Sequence, residues 1–81
     1  MLKDGVFRMT QKQELKIVQQ FGAKSFPDVG RGNGWFSYSL NGYRVWFCSK
    51  GWCVAQLIDN LYKNHTYHST LETALNFANK N

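Results

Sequence analysis

The dipeptide Asn41-Gly42 constrains the fold of this chain more than any other feature. It separates segments 35–40 and 43–49, which are both rich in aromatic and β-branched residues. Asn-Gly between two such segments is the strongest short-range signal of a β-hairpin, because both residues tolerate a positive φ. Lys50-Gly51 is a weaker signal of the same kind before a third segment, 52–58. The sequence therefore predicts an antiparallel meander.

Two-residue turns also fix which side chains lie opposite each other. We expect Tyr38 opposite Val45 in the first hairpin and Cys48 opposite Cys53 in the second. This register divides the side chains between two faces. The apolar face, which is the predicted core, carries Phe36, Tyr38, Leu40, Tyr43, Val45, Phe47, Trp52, Val54 and Ile58. The second face is mixed and carries Trp35, Ser37, Ser39, Arg44, Trp46, Cys48, Cys53, Ala55 and Leu57.

A helix is predicted on the N-terminal side of the meander, over residues 10–21. Thr10 and Gln13 have the spacing of a capping box, and Gly22 stands at the usual stop position. Segment 22–34 holds the single proline and several glycines, so it is predicted to be a loop.

After the meander, polar segment 61–68 is predicted to add a short fourth strand at the edge of the sheet. Ser69 and Glu72 have the spacing of a second capping box. Leu71, Ala74, Leu75 and Ala78 then form one apolar stripe at helical spacing. A competing interpretation is a helix over residues 54–63, because the apolar residues there also fit helical spacing.

The predicted fold class is therefore α+β, with residues 1–81 forming a single compact domain. An N-terminal helix precedes a three- or four-stranded antiparallel meander, and a C-terminal helix packs on the sheet.

Composition limits the functional classes. Hydrophobic residues are 43% of the chain and charged residues 19%, which is typical of a globular domain. The net charge of +5 favours anionic partners such as nucleic acid. No stretch has the length of a secretory h-region or a membrane span. We therefore expect a cytoplasmic protein without a membrane partner, with its two cysteines as free thiols.

Cys48, Cys53, His65 and His68 raise the question of a metal site, since their order C-x4-C-x11-H-x2-H is similar to that of zinc fingers. The gap between the histidines is shorter than the usual three to five residues, and the hairpin register places the thiols on a sheet face. We therefore expect no metal and no other cofactor. If Cys48 and Cys53 were directly opposite, a disulfide between them would be strained.

Catalysis has little support in the sequence. The acidic residues are spread along the chain and give no obvious acid and base pair. They are Asp4, Glu14, Asp28, Asp59 and Glu72. We therefore do not expect an enzyme.

The mixed second face is the predicted binding surface, because aromatic and cationic side chains on a sheet face bind single strands by stacking. The predicted nucleic-acid-binding residues are Trp35, Arg44, Trp46, Lys50 and Arg31. In layout, the second half of the chain resembles the small DNA-binding domains of integrases and of ethylene-response-type plant transcription factors. A sheet of that kind can lie in the major groove.

Two alternatives remain open. The N-terminal helix can cover the second face and bury its tryptophans. The chain can also be a small phage-type inhibitor or modulator that binds a larger host protein, for instance one acting on nucleic acid, because its basic residues are scattered.

Overall fold

The computed structural model describes residues 10–32 and 34–80. The elements, in chain order, are α1 (Gln11–Phe21), β1 (Lys24–Pro27), a 3₁₀ turn (Val29–Arg31), β2 (Phe36–Leu40), β3 (Tyr43–Cys48), β4 (Gly51–Ile58), β5 (Leu61–His68) and α2 (Leu71–Lys80). The strands form a five-stranded antiparallel sheet in the order β1-β2-β3-β4-β5. The α+β class and both helices are confirmed. No helix in the described part of the chain has the length and apolar character needed to cross a membrane.

The sheet has five strands rather than three or four, because β1 forms within the segment predicted as a loop. Lys24 pairs with Ser39, and Pro27 pairs with Phe36. Proline cannot donate to a sheet ladder, but it is tolerated on an edge strand, and β1 is an edge strand. The competing helix over residues 54–63 is wrong, since β4 and β5 occupy this segment. Asp59 and Asn60 join these strands with φ values of 52° and 66°.

The first hairpin has the predicted register, with Tyr38 opposite Val45, and Asn41 and Gly42 have φ values of 55° and 82°. In the second hairpin the predicted register is wrong by two residues. Cys48 lies opposite Gly51, and Ser49 and Lys50 form the turn. Gly51, at φ 106°, carries the positive φ that this turn requires. A shift of two residues keeps every side chain on its predicted face.

Both helices pack on the same face of the sheet. The buried cluster there contains Val18 of α1, Leu71 and Leu75 of α2, and Tyr38 and Val54 of the sheet. The four residues of the predicted stripe on α2 are completely buried. The interpretation in which α1 covers the second face is therefore wrong.

Ile58 was predicted in the core, but 40% of it is exposed. The reason is the length of the β4–β5 hairpin. Leu57 N donates to Gly42 O at the end of the β2–β3 hairpin, and beyond this point β4 and β5 pair only with each other.

The helix starts follow from side-chain caps. At α1 the predicted capping box is confirmed, because Gln13 N donates to Thr10 Oγ1 at 3.2 Å and Thr10 N donates to Gln13 Oε1 at 3.1 Å. At α2 the predicted box of Ser69 and Glu72 is wrong. Thr70 caps this helix, since Thr73 N donates to Thr70 Oγ1 at 3.1 Å.

Candidate functional site

The sheet face opposite both helices, called the open face below, is the strongest candidate for a functional surface. No element formed by residues 10–32 and 34–80 lies over it. The register places on this face Lys24, Phe26, Ser37, Ser39, Arg44, Trp46, Cys48, Cys53, Ala55, Leu57, Tyr62, His65 and Tyr67.

Trp46 lies at the centre of the open face and is partly buried by two rings from β5. The ring centroid of Tyr62 is 5.2 Å from that of Trp46, and the centroid of His65 is 6.0 Å away in an edge-on arrangement. These contacts hold the indole in place, because each aromatic pair adds about 0.5–1.5 kcal/mol beyond its buried area.

A β-bulge brings these two rings together. Residues three apart on a regular strand point to opposite faces. The pairing shifts between Val54↔Thr66 and Gln56↔Lys63, so β5 holds one extra residue there. Asn64 occupies the bulge at φ 58°, a conformation that asparagine adopts more readily than most residues. Because of the bulge, Tyr62 and His65 point to the same face of the sheet.

The open face has cations beside two of its aromatic rings. Arg44 Cζ lies 4.3 Å from the ring centroid of Phe26, and Lys50 Nζ lies 5.2 Å from that of Tyr67. Lys24 is opposite Ser39, which is in turn opposite Arg44. None of the five strands contains Asp or Glu. The local charge is therefore positive and is not neutralised by a carboxylate within the sheet.

Tyr62 and Tyr67 are exposed aromatic rings of this face, at 46% and 49% exposure. Sequence reasoning missed both tyrosines, and it missed Lys24 and Phe26 because β1 was assigned to a loop. The alternation of β5 was hidden by its extra residue, and the preference of Asn64 for positive φ was the one local signal of the bulge.

Arg31 and Trp35, which were predicted to join this surface, lie in a different cluster. Arg31 Nη1 and Nη2 donate to the Glu14 carboxylate at 3.1 and 3.2 Å, and Nη1 also donates to Phe36 O at 2.9 Å. Arg31 Cζ is 4.5 Å from the Trp35 ring and 5.1 Å from the ring of Trp52, a core residue. The positive charge of Arg31 is thus neutralised on the helix side of the sheet.

The Glu14 carboxylate has a third partner. Tyr38, which is fully buried, donates its hydroxyl to Glu14 Oε1. Burial raises the pKa of Tyr38 well above its ordinary value, and the neighbouring Glu14 carboxylate raises it further. The Tyr38 hydroxyl therefore stays protonated and acts as a hydrogen-bond donor.

The four residues considered for zinc do not converge. Cys48, Cys53 and His65 belong to the open face, whereas the His68 ring is on the helix side, 5.2 Å from the Phe77 ring of α2. Among the described residues, no three His, Cys, Asp or Glu side chains form a group that could hold a metal ion.

The thiols are free, and the predicted pairing of Cys48 with Cys53 is wrong, because Cys53 lies opposite Trp46 and Tyr67. Burial raises the pKa of the Cys53 thiol, and the nearby Cys48 raises it further. Cys53 is therefore a neutral, buried side chain and not an activated nucleophile.

Comparisons of the chain with protein-family models, with curated proteins and with solved structures find no match. The geometry of the open face is thus the basis of the functional argument.

Proposed function

We propose that this chain is a small cytoplasmic nucleic-acid-binding module and that the open face is its binding surface. The observation that carries the proposal is the combination of exposed aromatic rings and cations on a sheet whose strands contain no carboxylate. Base–aromatic stacking and cation–phosphate attraction are the two interactions by which such faces bind nucleic acid.

Each part of the face has a distinct role in this proposal. Lys24, Arg44 and Lys50 contact phosphates, and Tyr62 and Tyr67 stack on bases. Trp46 supports the platform, because the rings of Tyr62 and His65 pack against it.

The salt dependence of binding tests this function. We expect a fluorescent oligonucleotide to bind the protein with an affinity that falls steeply between about 50 and 200 mM salt. Arg44→Gln and Lys50→Gln should each reduce the slope of log K against log salt by about one. Fluorescence anisotropy gives both quantities.

Lys63→Gln is the matched control for these variants. Lys63 is on β5, opposite Gln56, which is opposite the buried Tyr43, so Lys63 belongs to the helix side of the sheet. Its replacement removes the same charge and should leave the slope closer to that of the unmodified protein. An equal loss in all three variants, or no binding at low salt, would contradict the proposal.

A second candidate function, a small inhibitor or modulator of a larger protein, is favoured by a separate observation. Ile58 and Leu61, which lie opposite each other at the end of the β4–β5 hairpin, are 40% and 60% exposed. Clusters of exposed apolar residues mark protein-binding sites more often than nucleic-acid-binding sites.

Capture from a lysate with two variants separates the two functions. If the chain acts on a protein, capture of that protein should survive nuclease treatment, be lost in Ile58→Ser/Leu61→Ser, and persist in Arg44→Gln. The opposite pattern, in which nuclease or Arg44→Gln abolishes capture, supports nucleic-acid binding.

A further inference from the structure

We infer that the open face binds single-stranded nucleic acid and discriminates against the duplex. This inference rests on the proposed function and specifies its ligand. Three features of the sheet support it: its width, the composition of its projecting hairpin and the position of its exposed rings.

The five-stranded sheet is too wide to enter the major groove of a DNA duplex. Neighbouring strands lie about 4.8 Å apart, so the axes of five strands span about 19 Å, whereas the major groove of B-DNA is about 12 Å wide. The residues of the open face extend from Lys24 on β1 to Tyr67 on β5, across this whole width. A sheet of three strands is narrow enough for the major groove. The groove has no room for the two additional edge strands, β1 and β5.

The projecting end of the β4–β5 hairpin does not provide a groove reader either. A two-stranded ribbon can enter the major groove. Residues 58–61 form the part of the hairpin beyond the rest of the sheet, and they include Asp59 at the turn but no Lys or Arg. An acidic tip without cations is repelled by the phosphates that line a groove.

The exposed rings require bases that are not already stacked in a duplex. Tyr62 and Tyr67 are accessible on the same face, Lys50 lies beside Tyr67, and Arg44 lies beside Phe26. Arg44 lies four residues before Cys48 at the end of β3, about 13 Å along the strand, and Lys50 lies in the turn that follows. A flexible single strand can place phosphates near both cations and stack bases on the two tyrosines, of which Tyr67 lies between the levels of Lys50 and Arg44 and Tyr62 lies beyond Arg44. A duplex keeps its bases stacked internally and offers only its phosphates.

The test compares three probes of about 12 nucleotides, a length within the site sizes of single-strand binders. They are a mixed-sequence DNA strand, the same strand annealed to its complement, and an RNA strand of the same sequence. Stacking of one base contributes about five- to hundredfold in affinity. We therefore expect at least one single strand to bind about tenfold or more tightly than the duplex.

Replacements of Tyr67 show whether stacking causes the difference. Tyr67→Phe should retain the preference for the single strand, because phenylalanine keeps the ring. Tyr67→Leu should reduce single-strand affinity about fivefold or more and leave duplex affinity nearly unchanged. Tyr62→Leu is the second variant, and thermal melts of each variant verify that it is folded before affinities are compared.

The outcomes separate this inference from the proposed function. Equal or tighter binding of the duplex overturns the inference, while the function as a nucleic-acid-binding module stands. A single-strand preference that is unchanged in folded Tyr67→Leu and Tyr62→Leu proteins also overturns it. If no probe binds at low salt, both the inference and the proposed function fail.

Discussion

At the scale of single residues, Glu14 and Arg31 form a largely buried ion pair whose loss is expected to destabilise the fold. The two side chains are 2% and 14% exposed, and Arg31 is the cation that pairs with the buried carboxylate. Removing one partner of a buried ion pair costs about 3–5 kcal/mol, because the other charge is left uncompensated. We expect Glu14→Gln to lower the free energy of unfolding by about this amount, as measured by urea denaturation.

The double variant Glu14→Leu/Arg31→Met is the control for this prediction. It removes both charges, so it should be less destabilised than the sum of the two single replacements. A cost of less than about 1 kcal/mol for Glu14→Gln would show that the pair contributes no more than an exposed ion pair does.

The His68 side chain makes the stability of the fold depend on pH. Burial against the helix side lowers its pKa below the ordinary value of about 6.5. The unfolded chain therefore binds this proton at a higher pH than the folded chain does. The stabilisation from neutral His68 is fully present above about pH 6.5 and is lost as the pH falls toward the lowered pKa.

We expect His68→Gln to make the free energy of unfolding less sensitive to pH between about 7.5 and 5.5. Urea denaturation of the two proteins at both pH values measures this difference. An NMR titration of the His68 imidazole gives a direct check, and a midpoint at or above about 6.5 would refute the prediction.

At the scale of elements, alanine substitutions at two hairpin glycines distinguish the cost of backbone strain from the cost of steric overlap. Gly42 and Gly51 both have positive φ, at 82° and 106°. A Cβ at Gly42 meets no atom within 4 Å, whereas a Cβ at Gly51 would lie 2.6 Å from the backbone oxygen of His68. We expect Gly42→Ala to cost about 1–2 kcal/mol from the left-handed conformation alone, and Gly51→Ala to cost more. Equal urea midpoints for the two variants would contradict the pairing of β4 with the end of β5.

The elements also show what local sequence patterns can predict. The stripe of α2 and the Asn41-Gly42 hairpin were predictable, because each depends on residues close together in the chain. The second turn was misplaced, since Ser49-Lys50 and Lys50-Gly51 give the same two faces. The strand β1 was missed because Pro27 is typical of loops, and its place at the sheet edge depends on pairing with β2.

For the candidate site, too, local patterns predicted only the residues whose positions depend on neighbours in the chain. Arg44, Trp46 and Lys50 were predicted from the hairpin register and lie on or beside the open face. Arg31 was misjudged because its partner, Glu14, is 17 residues earlier in the chain and on another element. No periodicity within the loop indicates such a contact.

For the whole molecule, the two sides of the sheet differ in what they carry. The helices and the buried Glu14–Arg31 pair stabilise one side, and we propose that the acid-free open face binds the ligand. This separation predicts that binding can be altered by changes on the open face that leave the fold intact, as the exposure of Tyr67 implies.

The most direct test is an NMR titration of the ¹⁵N-labelled protein with the single-stranded DNA probe. We expect the largest chemical-shift changes at Arg44, the Trp46 indole, His65 and Tyr67, with α1 and α2 nearly unaffected. Changes concentrated on the helices or at the end of the β4–β5 hairpin, with the open face unchanged, would contradict this expectation.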